Sequence, residues 1–186
     1  MRSRSGGFTM IELMITVAVL GILVTVAVVA YTRNIRKARA GEVPEVFGKI
    51  HTAENTYYAE HGHYVAMCPT LGAGALYADC AEGDYWPATL PGSGAAMDAS
   101  SPPARWSMLK INLGRGSLYC QYEAIAGLAG DDDNIGAIGA EMFPTTPTRN
   151  WYYVMAQCDW DGDSTTKATY WQRDDWTIVG RANEGR

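Results

Sequence analysis

The sequence predicts an α+β chain in which a long, kinked N-terminal α-helix packs on an antiparallel β-sheet of about four strands, and three observations carry that reading. Residues 13–31 run nineteen positions without a charge. At 1.5 Å per residue that is about 28 Å of α-helix, close to the hydrocarbon thickness of a bilayer. Beyond it, Val43, Val46, Phe47, Ile50, Ala53 and Tyr57 recur at spacings of three and four, which is one apolar helix stripe. Farther on, residues 104–113, 117–125, 150–158 and 169–179 are rich in β-branched and aromatic side chains and are separated by Gly, Asn and Asp, as strands and turns are.

The first element carries an oddity at its start. In Gly6-Gly7-Phe8-Thr9-Met10-Ile11-Glu12-Leu13 two glycines precede an aromatic, and an acid sits at the edge of the apolar run. A carboxylate costs roughly 2.5 kcal/mol or more at the centre of a membrane helix, so Glu12 needs a partner or a function. A secretory signal peptide would place its cleavage site after the apolar core, at a small-x-small sequence. Here the unusual residues come before the core.

The string Gly-Phe-Thr-Met-Ile-Glu-Leu-Met closely resembles the class III signal of type IV prepilins and type II secretion pseudopilins, in which a short basic leader ends in Gly before Phe-Thr-Leu-Ile-Glu-Leu. The resemblance implies a pilin fold and covers about the first thirty residues. It makes Gly7 the last residue of the leader, Phe8 the N-methylated first residue of the mature chain, and Glu12 the assembly carboxylate. It implies as partners a prepilin peptidase that also methylates Phe8, an inner-membrane assembly platform, and other pilin subunits through their N-terminal helices. The α-amine created on Phe8 would be positive, and the amine of a neighbouring subunit could reach Glu12 and form a buried pair that sets register. Gly21 stands where the family has a glycine, but Val29 replaces the proline usual eight residues later. The helix is therefore expected to continue through that stretch, which suits a minor or divergent pilin.

The second half of the helix is expected to end near His61-Gly62. Gly41 and Pro44 interrupt the pattern, and a proline removes one backbone donor, so a kink is expected at residues 40–44. The run Tyr57-Tyr58-Ala59-Glu60-His61-Gly62-His63-Tyr64 is similar to the Tyr-Tyr-x-x-x-Gly-x-Tyr segment that closes many pilin helices. The expected organisation is a leader at 1–7, a membrane or filament-core helix at 8–32, an amphipathic half at 33–62, a variable loop at 63–103 and a sheet domain at 104–186. Gly114-Arg115-Gly116 and Asp161-Gly162-Asp163 are read as hairpin turns.

Composition limits the function. A 186-residue chain with 47% hydrophobic residues supports one compact domain with one appended element. Its formal net charge is −5, and loss of Arg2 and Arg4 with the leader makes the side-chain sum −7. Such a body argues against general nucleic-acid binding, which needs a basic stripe. No nucleic-acid partner is expected; within the sheet domain Lys110 and Arg115 are the residues that could form a local basic patch, while the other basic residues cluster early, at Arg33, Arg36, Lys37 and Arg39. Cys68, Cys80, Cys120 and Cys158 include no Cys-x-x-Cys pair, so zinc and thioredoxin chemistry lack support. An even count beyond the apolar segment points to two disulfides and an oxidising compartment. Cys68 and Cys80 can close a loop, and Cys120 and Cys158 each fall inside a predicted strand and can bridge the sheet; the sequence leaves the connectivity open. The chain is thus expected in the inner membrane before assembly and in a periplasm-spanning or extracellular filament after it.

Asp159, Asp161 and Asp163 alternate in a turn and are a candidate calcium site, because hard Ca2+ takes several oxygen ligands. The EF-hand pattern fails, with Ser164 at the glycine position and Tyr170 at the terminal glutamate position. The alternative is that these aspartates cap the turn. Asp131-Asp132-Asp133 reads as a solvated run. His51, His61 and His63 have no partner at metal-ligand spacing other than His-Gly-His, and no nucleophile, phosphate-cradling or base arrangement is present, so an enzyme is not expected. Trp106, Trp151, Trp171 and Trp176 fall in predicted strands, where large aromatics usually pack. Two other functional classes share the N-terminus. A type II secretion pseudopilin is one, although the Pro-x-Asp-Pro-Trp-Gly-like stretch of its major forms is missing; a tip adhesin or DNA-uptake pilin is the other.

Overall fold

A computed structural model describes residues 8–67, 85–87, 95–114, 116–132, 135–160, 167–175 and 180–182. Gly7, Cys68, Cys80, Arg115, Asp133, Asp161, Asp163, Trp176 and much of the 63–103 loop lie outside the described residues, as does the Asp161-Gly162-Asp163 turn. The chain divides into two compact units, Met1–Arg39 and Ala40–Arg186.

In the first unit, helix α1 (Met10–Ala40) runs 31 residues with none buried, about 46 Å at the α-helical rise. It is unbroken across Gly21 and Val29, as expected without the proline. Three threonines would bring unmet donors into this apolar surface. Each instead donates its hydroxyl to a carbonyl one turn back: Thr16 to Leu13 at 2.8 Å, Thr25 to Ile22 at 2.7 Å and Thr32 to Val29 at 3.0 Å. Helix α2 (Glu42–His61) follows after Gly41 alone, so the interruption expected at residues 40–44 is present. Pro44 falls in the first turn of α2, where a missing N–H costs little. Gly62 closes α2 in the left-handed region at φ 77°, its N–H donating to the Tyr58 carbonyl at 2.8 Å, a conformation glycine adopts without a Cβ penalty.

The second unit is built on a four-stranded antiparallel meander: β3 (Cys120–Gly127), β4 (Trp151–Cys158), β5 (Ala168–Arg173) and β6 (Gly180–Ala182), in that order across the sheet. Strands β3 to β5 have eight, eight and six residues, whereas β6 has three. A separate ladder pairs β1 (Met97–Asp98) with β2 (Ser117–Leu118). Register fixes the faces. Tyr122, Ala124, Tyr152, Val154, Ala156, Ala168 and Tyr170 share one core with Val43, Val46, Phe47 and Ile50 of α2. The alternate residues Ile125, Trp151, Tyr153 and Met155 form a second core, with Met142 from helix α4 (Gly136–Met142) and with Ile138 packed against it. All eight residues of β4 are buried, because both faces are covered. The free side of β3 is met by the loop: Trp86 and Tyr122 exchange backbone hydrogen bonds at 3.0 and 2.9 Å, and the Met67 N–H reaches the Ala124 carbonyl at 2.9 Å.

Two expectations are corrected. Residues 104–113 are not a strand: helix α3 (Ala104–Met108) begins there, followed by a turn. The buried residues Trp106, Leu109 and Leu113 are spaced by three and four, a helical period, and Pro103 stands just before the first turn. Trp106 is therefore a helix residue, and β6 supplies the fourth strand. The glycine pair at 114 and 116 is consequently not a hairpin between long strands, although Gly114 is left-handed at φ 67° and leads into β2. Helix α4 has no counterpart among the sequence expectations, since a Gly- and Ala-rich stretch carries a weak helical signal.

Candidate assembly and processing site

The N-terminus of α1 is held by its own side chains. The Glu12 carboxylate accepts the Thr9 backbone N–H at 2.9 Å and the Thr9 hydroxyl at 2.8 Å through Oε2, while the Glu12 N–H donates to Thr9 Oγ1 at 3.3 Å. This is a reciprocal capping box, in which a Thr cap and an acid three residues on satisfy otherwise orphaned donors. The Thr-x-x-Glu spacing is the sequence signal for it, and Thr9 is the residue that sequence reasoning missed. Both bonds fall on Oε2 of an exposed side chain, and through them Glu12 helps start the helix.

Phe8, immediately before the box, is 80% exposed. From there to Tyr31 every large apolar side chain of α1 is at least half exposed, from Val19 at 50% upward. The helix is long and apolar enough to cross a membrane, with mean hydropathy 2.8 in its best window. An exposed apolar surface of this extent needs lipid or other chains around it. Chemically the segment offers a capped acid in the first turn of the helix and an apolar rod for association. The basic side chains Arg33, Arg36, Lys37 and Arg39 follow the rod.

Elsewhere the expected residues are placed as follows. Cys120 and Cys158 are directly opposed in the β3–β4 register and form a disulfide, with Cα atoms 4.4 Å apart, the spacing of a non-hydrogen-bonded antiparallel pair. Asp159 is buried just after β4; its two companions in the candidate calcium turn lie outside the described residues. No group of three His, Cys, Asp or Glu side chains suited to a metal ion occurs among the described residues. Trp86, Trp106, Trp151 and Trp160 are buried, as packing residues are. Lys110 is exposed, with φ 52°.

Two buried acids tie α2 to the rest of its unit. Glu42 accepts the Tyr119 N–H at 3.1 Å and the Tyr122 hydroxyl at 2.8 Å. Glu54, fully buried, accepts the Val65 N–H at 2.9 Å through Oε2, while Oε1 meets no donor among the described residues. Burial pushes the Glu54 carboxyl up to about 8, partly opposed by the Val65 bond. Near it the Tyr152 hydroxyl bonds His51 Nδ1, and burial raises the Tyr152 phenol well above its usual range.

Comparison with known proteins bears on the N-terminal segment. Residues 2–28 match the prokaryotic N-terminal methylation motif. The chain is 30% identical over 69 residues to the type IV major pilin protein PilA of Myxococcus xanthus (strain DK1622), covering 37% of this chain and 31% of that protein. It is 35% identical over 69 residues to the fimbrial protein EcpC of Eikenella corrodens, covering 37% and 45%. With the type IV major fimbrial protein FimA of Dichelobacter nodosus the identity is 41% over 56 residues, covering 30% and 36%. The match spans less than half the length of each of these relatives. No solved structure matches the chain. The likeness lies in the N-terminal segment: the apolar helix carries the methylation motif, and over that part of the chain it is similar to type IV pilin and fimbrial proteins.

Proposed function

We propose that the chain is a structural subunit of a type IV pilus, a minor or divergent pilin, released by cleavage between Gly7 and Phe8, methylated on Phe8 and assembled through α1. The observation that carries this reading is the wholly unburied apolar helix α1, which starts at Met10, two residues after Phe8, behind the Thr9–Glu12 capping box. A prepilin peptidase would act at the Gly7–Phe8 bond on the cytoplasmic face, and the inner-membrane assembly platform would draw the helix out of the bilayer. In the filament the apolar rods bundle, and Glu12 receives the α-amine of a neighbouring subunit. The unbroken helix through Val29 supports a minor or divergent subunit, although the relatives named as pilins are major subunits in their own organisms.

Replacing Gly7 with a bulky residue is expected to leave uncleaved, membrane-bound precursor, seen as a slower band and an unmethylated N-terminus by mass analysis. Glu12→Leu is expected to be cleaved normally yet depleted from sheared filaments by tenfold or more. Normal processing of the Gly7 variant, or wild-type filament content of the Glu12 variant, would overturn the respective assignment. Immunolabelling confined to filament tips or scattered sites would support a minor subunit, whereas uniform labelling would make it the major one.

A further inference from the structure

Charge is divided unevenly between the two units. Residues 40–186 carry nine basic and nineteen acidic side chains, a net charge of −10, while the mature part of the first unit has four basic side chains against Glu12 alone. Those four, Arg33, Arg36, Lys37 and Arg39, occupy the last two turns of α1 just beyond the apolar rod. At 100° per residue, Arg33, Arg36 and Lys37 fall within an arc of about 100° and Arg39 flanks it, so they form one stripe. Arg33 and Lys37 are exposed, and Arg33, Arg36 and Lys37 make no ion pair among the described residues.

The position of this stripe is unusual. With the leader on the cytoplasmic side, two basic residues precede the span and four follow it, against the usual bias that keeps Lys and Arg cytoplasmic. Arg33, Arg36 and Lys37, retained on the far side with no ion pair among the described residues, therefore call for a counterpart there. The largest source of negative charge in the protein itself is the 40–186 body. Packing bodies of charge −10 side by side is repulsive, and because the screening length at physiological salt is about 8 Å, only charges brought close together can offset that repulsion.

We propose that the basic stripe Arg33, Arg36 and Lys37 docks on the acidic 40–186 body of a second copy of this chain, as an electrostatic contact between neighbouring subunits. This rests on the pilus-subunit reading above. It adds a second, polar contact zone to the apolar bundling of α1, and it assigns the stripe to subunit register and filament cohesion rather than to membrane insertion.

The test uses the full-length chain in its own cell. Three forms are compared: wild type, the charge reversal Arg36→Glu with Lys37→Glu, and the conservative exchange Arg36→Lys with Lys37→Arg. Leader cleavage and membrane residence are read from fractionated cells, and incorporation is read from sheared filaments. The reversal is expected to be cleaved and membrane-resident as wild type but depleted from filaments by about tenfold, with the exchange retaining wild-type content. Wild-type filaments are also expected to shed more of this subunit at 1 M salt, where screening shortens to about 3 Å. Undiminished incorporation of the reversal overturns the proposal. Loss of the reversal from the membrane before assembly overturns it too, in favour of anionic lipid headgroups as the counterpart. Absence of the wild-type chain from any filament instead rejects the pilus-subunit reading on which the proposal stands.

Discussion

Single residues set the chemistry at both ends of the helical segment. Glu12 is exposed and serves the Thr9 cap, so the carboxylate expected to await a partner already has a local task. A cap of this kind contributes on the order of 1 kcal/mol, which leaves it free to be redirected in an assembly. Glu54 has the opposite environment. Its carboxyl is fully buried and titrates near 8 in the folded chain, against 4.5 for an unperturbed glutamate. A raised carboxyl value means the unfolded chain ionises first, so the stability linked to Glu54 is full below about pH 4.5 and declines as pH rises toward 8. The loss is at most about 1.4 kcal/mol per pH unit in that window. Glu54→Gln should keep the Val65 bond and remove the titration. Denaturant midpoints measured at pH 5 and pH 8 should therefore converge in the variant and stay apart in the wild type.

At the scale of elements, the sheet is ordered by what crosses it. Gly127 is paired with Trp151, and a Cβ at Gly127 would overlap the Trp151 ring. The indole lies over the glycine and donates its N–H to the Asp131 carbonyl at 2.9 Å. Gly127→Val should cost about 1–3 kcal/mol through overpacking, read as a lower melting temperature. The control is Gly48→Ala, where nothing lies within 4 Å in the interior of α2; that change should stabilise by up to about 1 kcal/mol. The Cys120–Cys158 bond closes a 38-residue separation, worth roughly 4 kcal/mol on the loop-entropy estimate. Replacing both cysteines with serine should lower the denaturation midpoint accordingly, and an unchanged midpoint would show that the sheet needs no cross-link. The outer layer has its own fastening: Arg173 lies 5.0 Å above the Phe143 ring and donates to the Met142 carbonyl at 2.8 Å, which ties the end of α4 to β5.

For the whole molecule, the division into Met1–Arg39 and Ala40–Arg186 separates association from folding. The second unit holds both apolar cores, whereas among the described residues of the first none is buried. A fragment comprising residues 40–186 is therefore expected to fold and remain monomeric without detergent, with cooperative thermal unfolding, while the full chain requires detergent or filament partners. Aggregation of the fragment, or non-cooperative melting, would mean that α1 is part of the folding unit.

Sequence alone determined the features that depend on short-range period and on single-residue chemistry. The apolar rod, the stripe Val43, Val46, Phe47 and Ile50, and the glycine stop after His61 are all local, since helix period and capping are written within a few residues. Strands β3 and β4 were legible for the same reason, and their partnership placed Cys120 opposite Cys158. Tertiary structure decided the rest. Residues 104–108 became a helix and not the start of a strand because Trp106 and Leu109 are buried from one side in a helical period, which composition alone reads as strand. Covering the second face of the sheet with α4, and closing Glu54 under Val65 and beside Tyr152, depend on residues far apart in the chain, and no local pattern records which distant surfaces will meet.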